Sequence, residues 1–212
     1  MTLNDSAAVR AFYQDKIKEH GLTAEGMAYR SEASHKVRIY TAITLADLAE
    51  SSTHFYHSML DLGCGTGMLF DRALWGVYGD DWRNDIPTYT GVDLVPEYIN
   101  KAAEHVYFYR KLGRRVDTSL KVTDFMEDDT IKPADCVFMI GTLAWQRPDR
   151  AVEMLNRAWS LTQKTLIFTV LKDRPFGLNT VHMAALFDDI NPTLCHVIEG
   201  YVPGELMVRY DV

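Results

Sequence analysis

The spacing of apolar residues changes character near residue 57 of this 212-residue chain. Before that point the period is helical. Val9, Phe12, Tyr13 and Ile17 share one face of a segment spanning 4–20, and Gly21 stops it. Val37, Tyr40, Ile43 and Leu48 do the same over 31–50. Residues 22–31 follow neither period and read as irregular. After residue 57, apolar runs of strand length alternate with helical patterns. The runs cover 57–62, 89–94, 120–125, 134–141, 165–171, 194–202 and 205–211. Between them the helical period returns over 68–78, 96–113 and 149–162, with a short helix near 180–189. Pro96 opens the second of these and Gly113 closes it, as helix ends favour.

This alternation predicts an α/β fold: a seven-stranded, mostly parallel sheet with helices on both faces. The strand centres are apolar throughout, as burial on both sides requires. Pro203 and Gly204 separate the last two runs, which predicts a closing hairpin with an antiparallel strand. The polar stretch YGDDWRNDIP, 78–87, reads as a surface insertion. One domain accommodates everything, with two N-terminal helices within 1–50 and the core over 51–212.

Composition narrows the possible partners. Formal net charge is −7, which argues against broad contact with nucleic acid or an anionic membrane surface. The basic cluster Arg110, Lys111, Arg114 and Arg115 reads as the solvated C-terminal end of a helix. Cys64, Cys136 and Cys195 form no CxxC pair. With no signal peptide, an odd count points to reduced thiols and a cytoplasmic protein. No run approaches the ~20 apolar residues of a membrane span.

In a parallel sheet, ligands bind beyond the carboxyl ends of the strands. Those ends read Asp61 to Gly67, Asp93-Leu94, Asp124-Phe125, Gly141-Thr142 and Leu171 to Arg174. Three of the five carry an acid, which a scaffold alone does not need. In the first, Gly63, Gly65 and Gly67 alternate. A dinucleotide loop, GxGxxG, would have glycine at the sixth position, where this chain has Met68.

With Asp61 before it, Asp93 ending YTGVDL and Asp124 in VTDF, the glycine segment resembles class I S-adenosylmethionine-dependent methyltransferases over residues 57–212. The resemblance implies S-adenosyl-L-methionine as cofactor, S-adenosyl-L-homocysteine as product, and no metal. It implies that the methionine part of the cofactor passes over bare backbone at Gly63 and Gly65, with Gly67 and Gly141 in the same wall. Asp61 braces the turn. Asp93 accepts from both ribose hydroxyls, Asp124 accepts from the adenine amino group, and Leu94 and Phe125 sandwich the base. One departure stands out. Asp93 follows Asp61 by 32 residues, against ~20 in a compact unit with a ribose-binding acid. The insertion accounts for the excess. Asp80, Asp81 and Asp85 are rejected as ribose ligands because only Asp93 ends a strand-like run.

In many small-molecule members of that family, N-terminal helices, here 1–50, lid the site and an aromatic or Arg reaches the cofactor carboxylate. Tyr29, Arg30, His35 and Arg38 are the candidates here, Tyr29 and Arg38 foremost. The tetrapeptide of DNA amino-methyltransferases, the Pro-Cys of cytosine-C5 enzymes and the acids of catechol-type and ribose 2′-O enzymes are all missing after the fourth strand. A small-molecule O- or N-acceptor remains the leading reading. An RNA or protein methyltransferase, or a non-catalytic regulatory protein that binds the cofactor, is the alternative. The acceptor pocket is expected between the lid and 172–189, a segment carrying Lys172, Arg174, Phe176, His182, Met183 and Phe187. His182 would be the base for a hydroxyl, and Trp145 either walls that pocket or packs under the next helix.

Overall fold

The computed structural model describes residues 5–47, 56–76, 88–113, 117–172, 190 and 192–212. Two helices, α1 (Ser6–His20) and α2 (Glu32–Asp47), precede β1 (Ser58–Leu62), α3 (Met68–Gly76), β2 (Thr88–Asp93) and α4 (Pro96–Lys111). Then come β3 (Thr118–Val122), β4 (Ala134–Met139), α5 (Pro148–Ser160), β5 (Thr162–Leu171), β6 (Leu194–Glu199) and β7 (Glu205–Asp211). The sheet has seven strands in the order β3-β2-β1-β4-β5-β7-β6. The first five strands are parallel. β7 inserts between β5 and β6 and runs antiparallel to both. The expected seven-stranded α/β sheet with its antiparallel hairpin is the observed one.

Alternation along the central strands builds two cores. Leu60, Leu62, Val137, Met139, Leu166 and Phe168 face α5, where Ala151, Leu155 and Ala158 meet them. Met59, Tyr89, Phe138, Ile167 and Met207 face the other way, toward Phe70 of α3 and Tyr109 of α4. Into this second layer α2 contributes Ile39, Ala42, Ile43, Leu45 and Ala46. The lid expected over 1–50 therefore divides in two. α2 is a core layer, because its apolar stripe has β5 and β7 to bury against. α1 has no buried residue at all. Arg209 of β7 fastens α2 further: its Nη1 donates to the Leu45 carbonyl at 2.8 Å, a cation at a helix C-terminus.

Two strands differ from their expected limits for identifiable reasons. β3 lies at the sheet edge, so its polar Thr118 and Ser119 pair with Tyr89 and Thr90 without needing burial. It stops at Val122, because the Asp124 side chain accepts the Met126 N–H at 2.9 Å and turns the chain away. β5 starts at Thr162, three residues early, pairing with Ala134 across a bulge. The insertion at 78–87 lies outside the described residues apart from its neighbours.

Gly67 is fixed by close approach. It has φ +78, and a Cβ there would stand 2.8 Å from the Ala102 Cβ of α4. Gly67→Ala should therefore cost about 2–4 kcal/mol, combining left-handed strain with overpacking. Urea unfolding of the two proteins checks this. A loss under ~1 kcal/mol would mean that α3 and α4 are not held at this separation.

Candidate active site

The turn after β1 folds over the end of its neighbour. Gly63 and Cys64 both donate their N–H to the Val92 carbonyl, at 2.8 and 3.0 Å. Gly65 then donates to Asp93 Oδ2 at 2.9 Å, and Val95 N–H donates to Oδ1 at 2.9 Å. Both oxygens of Asp93 are thus oriented by backbone. An ionised carboxylate has about four acceptor sites, so each oxygen keeps capacity for a further donor. Loss of water pushes the Asp93 carboxyl up to about 6, against the pull of those N–H groups.

Beside these atoms lies a cavity of about 350 Å³. Gly63, Gly65, Asp93, Leu94, Asp124, Phe125 and Gly141 all line it. So do Asp5, Ser6, Val9 and Tyr13 of α1, and residues 27–30 after it. The hairpin turn before β7, 202–205, forms part of the same wall. The structure therefore brings together seven of the sequence-predicted positions from four strand ends. Tyr29 and Arg38 line the cavity too.

Asp61 and Gly67 are not on its wall. Asp61 is buried behind the turn, 3% exposed, and accepts the Tyr89 hydroxyl at 2.8 Å. Its bracing partner is thus a phenol from β2. Burial pushes its carboxyl up to about 7, and Asp93 nearby adds to the shift. Gly67 serves the α3–α4 approach described above. A Cβ on Gly63 would meet Thr142 Oγ1 at 2.6 Å, and that hydroxyl donates to the Leu62 carbonyl at 2.7 Å. The bareness of this turn thus also admits protein: Thr142 stands against Gly63.

Residues 22–31, expected to be irregular, form a defined turn. Tyr29 N–H donates to the Ala24 carbonyl and Ala28 N–H to Glu25, both at 2.9 Å. This is the paired-bond helix ending that wants a left-handed residue, and Ala28 supplies it at φ 61. The Tyr98 hydroxyl anchors the turn through the Gly26 carbonyl at 2.6 Å. Its placement over the glycine turn brings Met27 Sδ within 3.6 Å of Thr66 Oγ1.

Tyr29 leaves this turn to cross the end of β4. Its hydroxyl donates to the Ile140 carbonyl at 3.2 Å, and Gly141 must be bare because a Cβ there would meet that hydroxyl at 2.5 Å. His35 stacks on the Tyr29 ring with centroids 4.2 Å apart. Burial, with Arg38 adding to it, pushes His35 down to about 4, so it is neutral near pH 7. Arg38 lies 4.7 Å from the same ring centroid. Its guanidinium grips Glu205 at the start of β7 with two nitrogens, Nε at 2.6 Å from Oε2 and Nη2 on Oε1. The Tyr201 hydroxyl donates to Glu205 as well, at 3.2 Å. Arg38 already has a carboxylate. Arg30 lines the cavity, is exposed, and has no carboxylate partner among the described residues.

Trp145 is half-buried, lines the cavity and meets Phe12 of α1 at 5.5 Å. Phe125 belongs to both the cavity wall and the α5-side core. His182 and residues 173–189 lie outside the described residues; of that segment only Lys172 is seen, paired with Glu199. Among the described residues no three His, Cys, Asp or Glu side chains converge as a metal site would need. No described helix is long and apolar enough to cross a membrane. Sequence reasoning missed Glu205 and the 24–29 turn. Glu205 could have been found: a lone acid opening an apolar strand beside a Pro-Gly turn.

No protein-family profile matches the sequence, and no curated protein is detectably similar to it. Solved structures do resemble it in backbone. Magnesium protoporphyrin IX methyltransferase (ChlM) from Synechocystis PCC 6803, with bound SAH, matches at TM-score 0.71 and 12% identity, over 98% of this chain and 99% of that one. N-methyltransferase NodS from Bradyrhizobium japonicum WM9 matches at 0.59 and 13%, over 85% and 97%. The small RNA methyltransferase HEN1 matches at 0.64 and 18%, over 83% of this chain but 25% of that one. The fold is that of class I methyltransferases.

Asp61 generates a stability prediction. Its carboxyl is raised from 3.8 to about 7 in the folded protein. The native state therefore binds the proton more readily than the unfolded chain, and stability falls as pH rises across that window. Asp93 acts in the same direction up to about 6. Asp61→Asn removes its own share, so the variant should gain stability relative to wild type from the lower to the upper end of the window. Urea unfolding at both ends measures this, and a pH-independent difference would refute the buried-acid account.

Proposed function

We propose that the protein is an S-adenosyl-L-methionine-dependent methyltransferase acting on an O or N atom of a small-molecule acceptor. The observation that carries this reading is Asp93: a carboxylate at the end of β2, oriented by the Gly65 and Val95 N–H groups and facing a cavity walled by bare glycine turns. The remaining capacity of its two oxygens suits the paired hydroxyls of a ribose. Leu94 and Phe125 offer apolar surface to a flat base, and Asp124 offers an acceptor to the base's amino group. Arg30 is the cation we assign to the cofactor carboxylate. Arg38 is the poorer choice, since breaking a buried pair strands Glu205.

When bound, the cofactor supplies a methyl group on a sulfonium, already activated toward nucleophiles. The chain's own task is then to orient the acceptor and exclude water. An amine needs only to be unprotonated, whereas a hydroxyl needs a base; His182 is our candidate for that base. The cavity volume of about 350 Å³ lies at the small end of the ~300–1,000 Å³ range of small-molecule sites. α1, the 24–29 turn and the hairpin turn all close around it, which favours a metabolite over a polymer.

Calorimetry should show S-adenosylhomocysteine binding well above NAD or ATP. Asp93→Ala should lose about 1.5–3 kcal/mol of that affinity, as for hydrogen bonds to a charged group. Wild-type affinity should fall as pH drops through about 6, where Asp93 takes up a proton. Arg30→Ala should weaken S-adenosylhomocysteine more than adenosine, which has no carboxylate. Radiolabelled cofactor with cytosolic metabolites should yield labelled small molecules; label confined to RNA or protein would overturn the acceptor class.

A further inference from the structure

α1 is a helix of 15 residues without one buried side chain. It rests on the body of the protein through half-buried side chains. Tyr13 meets Tyr98 at 6.0 Å, Phe12 meets Trp145 at 5.5 Å, and Gln14 Nε2 donates to Glu97 Oε1 at 3.3 Å. Few buried apolar contacts place an element at the low end of local stability. Yet the helix is well made in itself. Asp5 caps it, accepting the Ala8 N–H at 2.7 Å. Lys16–Glu19 and Lys18–Asp15 pair along its exposed side. Lys18 and His20 stand in its last turn, where cations are favoured. Behind it, Gly21 takes φ 70, ψ −164, a conformation almost restricted to glycine, with open space around the Cα. The next turn is anchored by Tyr98. The geometry is that of a rigid flap on a glycine hinge.

The first turn of the flap reaches the cavity. There the Ser6 hydroxyl donates to Asp124 Oδ2. Asp124 Oδ1 is held by the Met126 N–H, so Oδ2 is the oxygen left to the cavity. Both Ser6 and Asp124 line that cavity. A donor from α1 thus holds the oxygen that the adenine amino group would use.

We propose that Ser6 is the latch of a lid formed by α1, and that Ser6 and the cofactor's adenine amino group compete for Asp124 Oδ2. The competition rests on the cofactor reading given above; the latch itself does not. Exchange of cofactor then requires the lid to swing on Gly21, and the latch restores closure when the site empties. Neither apolar core is opened in the process, because the α1 side chains that face the body, Val9, Phe12, Tyr13 and Ile17, are only half-buried and belong to neither.

Ser6→Ala tests both parts on the full chain. The substitution is on an unburied helix and leaves the Asp5 cap in place. In the ligand-free protein, trypsin should cut after Arg10 and Lys16 faster in the variant than in wild type, read by mass spectrometry of the N-terminal fragments. Calorimetry should show S-adenosylhomocysteine binding tightened by roughly two- to tenfold, the worth of one net hydrogen bond. Unchanged cleavage overturns the latch. Faster cleavage with equal or weaker affinity overturns the competition, leaving Ser6 as a prop for Asp124. No binding by either protein overturns the cofactor reading, while the cleavage rates still decide the latch.

Discussion

The carbonyl of Val92 receives two N–H groups from the turn after β1, and everything at the site follows from that. A strand end in a parallel sheet has carbonyls with no partner of their own strand order. Here Gly63 and Cys64 satisfy the one on β2. The turn must curl sideways over its neighbour to do so, which is why its glycines, Gly63, Gly65 and Gly67, take positive φ. Once curled, it delivers the Gly65 N–H to Asp93. The acid and the bare backbone are therefore positioned by one another.

The central strands could be read from sequence because they obey a single rule. β1, β4 and β7 are buried on both faces, so their apolar runs locate the strands, to the residue in β7 and within two residues in β1 and β4. β3 escaped that rule as an edge strand whose polar Thr118 and Ser119 pair without burial. The strand-end acids were legible for a related reason: an ionised residue at the end of an apolar run needs a partner, and Asp93, Asp61 and Asp124 each have one. What could not be read were partners from distant segments. Glu205 lies 167 positions from Arg38, and no periodicity links them. The 24–29 turn was hidden for another reason. Its left-handed position carries Ala28, where the expected signal is glycine.

The buried cluster of Tyr29, His35, Arg38, Tyr201 and Glu205 joins α2 to β7 across the mouth of the sheet. It is mostly enclosed, with Arg38 and Glu205 at 5% and 7% exposure. Such a pair gives little net stability, since desolvation offsets the attraction. Its effect is one of register. The two-pronged grip of a planar guanidinium fixes where the second turn of α2 stands relative to the first residue of β7. Tyr29, stacked on His35, is fixed in turn against Ile140 and Gly141. The cavity wall therefore inherits its shape from a polar lock, while the apolar cores behind it supply the cohesion.

β7 runs against its neighbours, and that reversal changes which parts of the chain are free to vary. β1, β2 and β4 bring their ends to the site, and the segments beyond them continue into α3, α4 and α5, on which the core depends. β7 brings its beginning. What precedes it is the short turn 200–204, which joins β6 to β7 and whose Gly204 carbonyl accepts the Lys172 N–H at 2.8 Å. Residues 202–204 wall the cavity but fill neither core except through Val202. Lengthening or shortening that turn would reshape the cavity floor and leave the β5–β7 ladder intact. This hairpin is therefore the stretch of cavity wall whose length can change without disturbing the sheet.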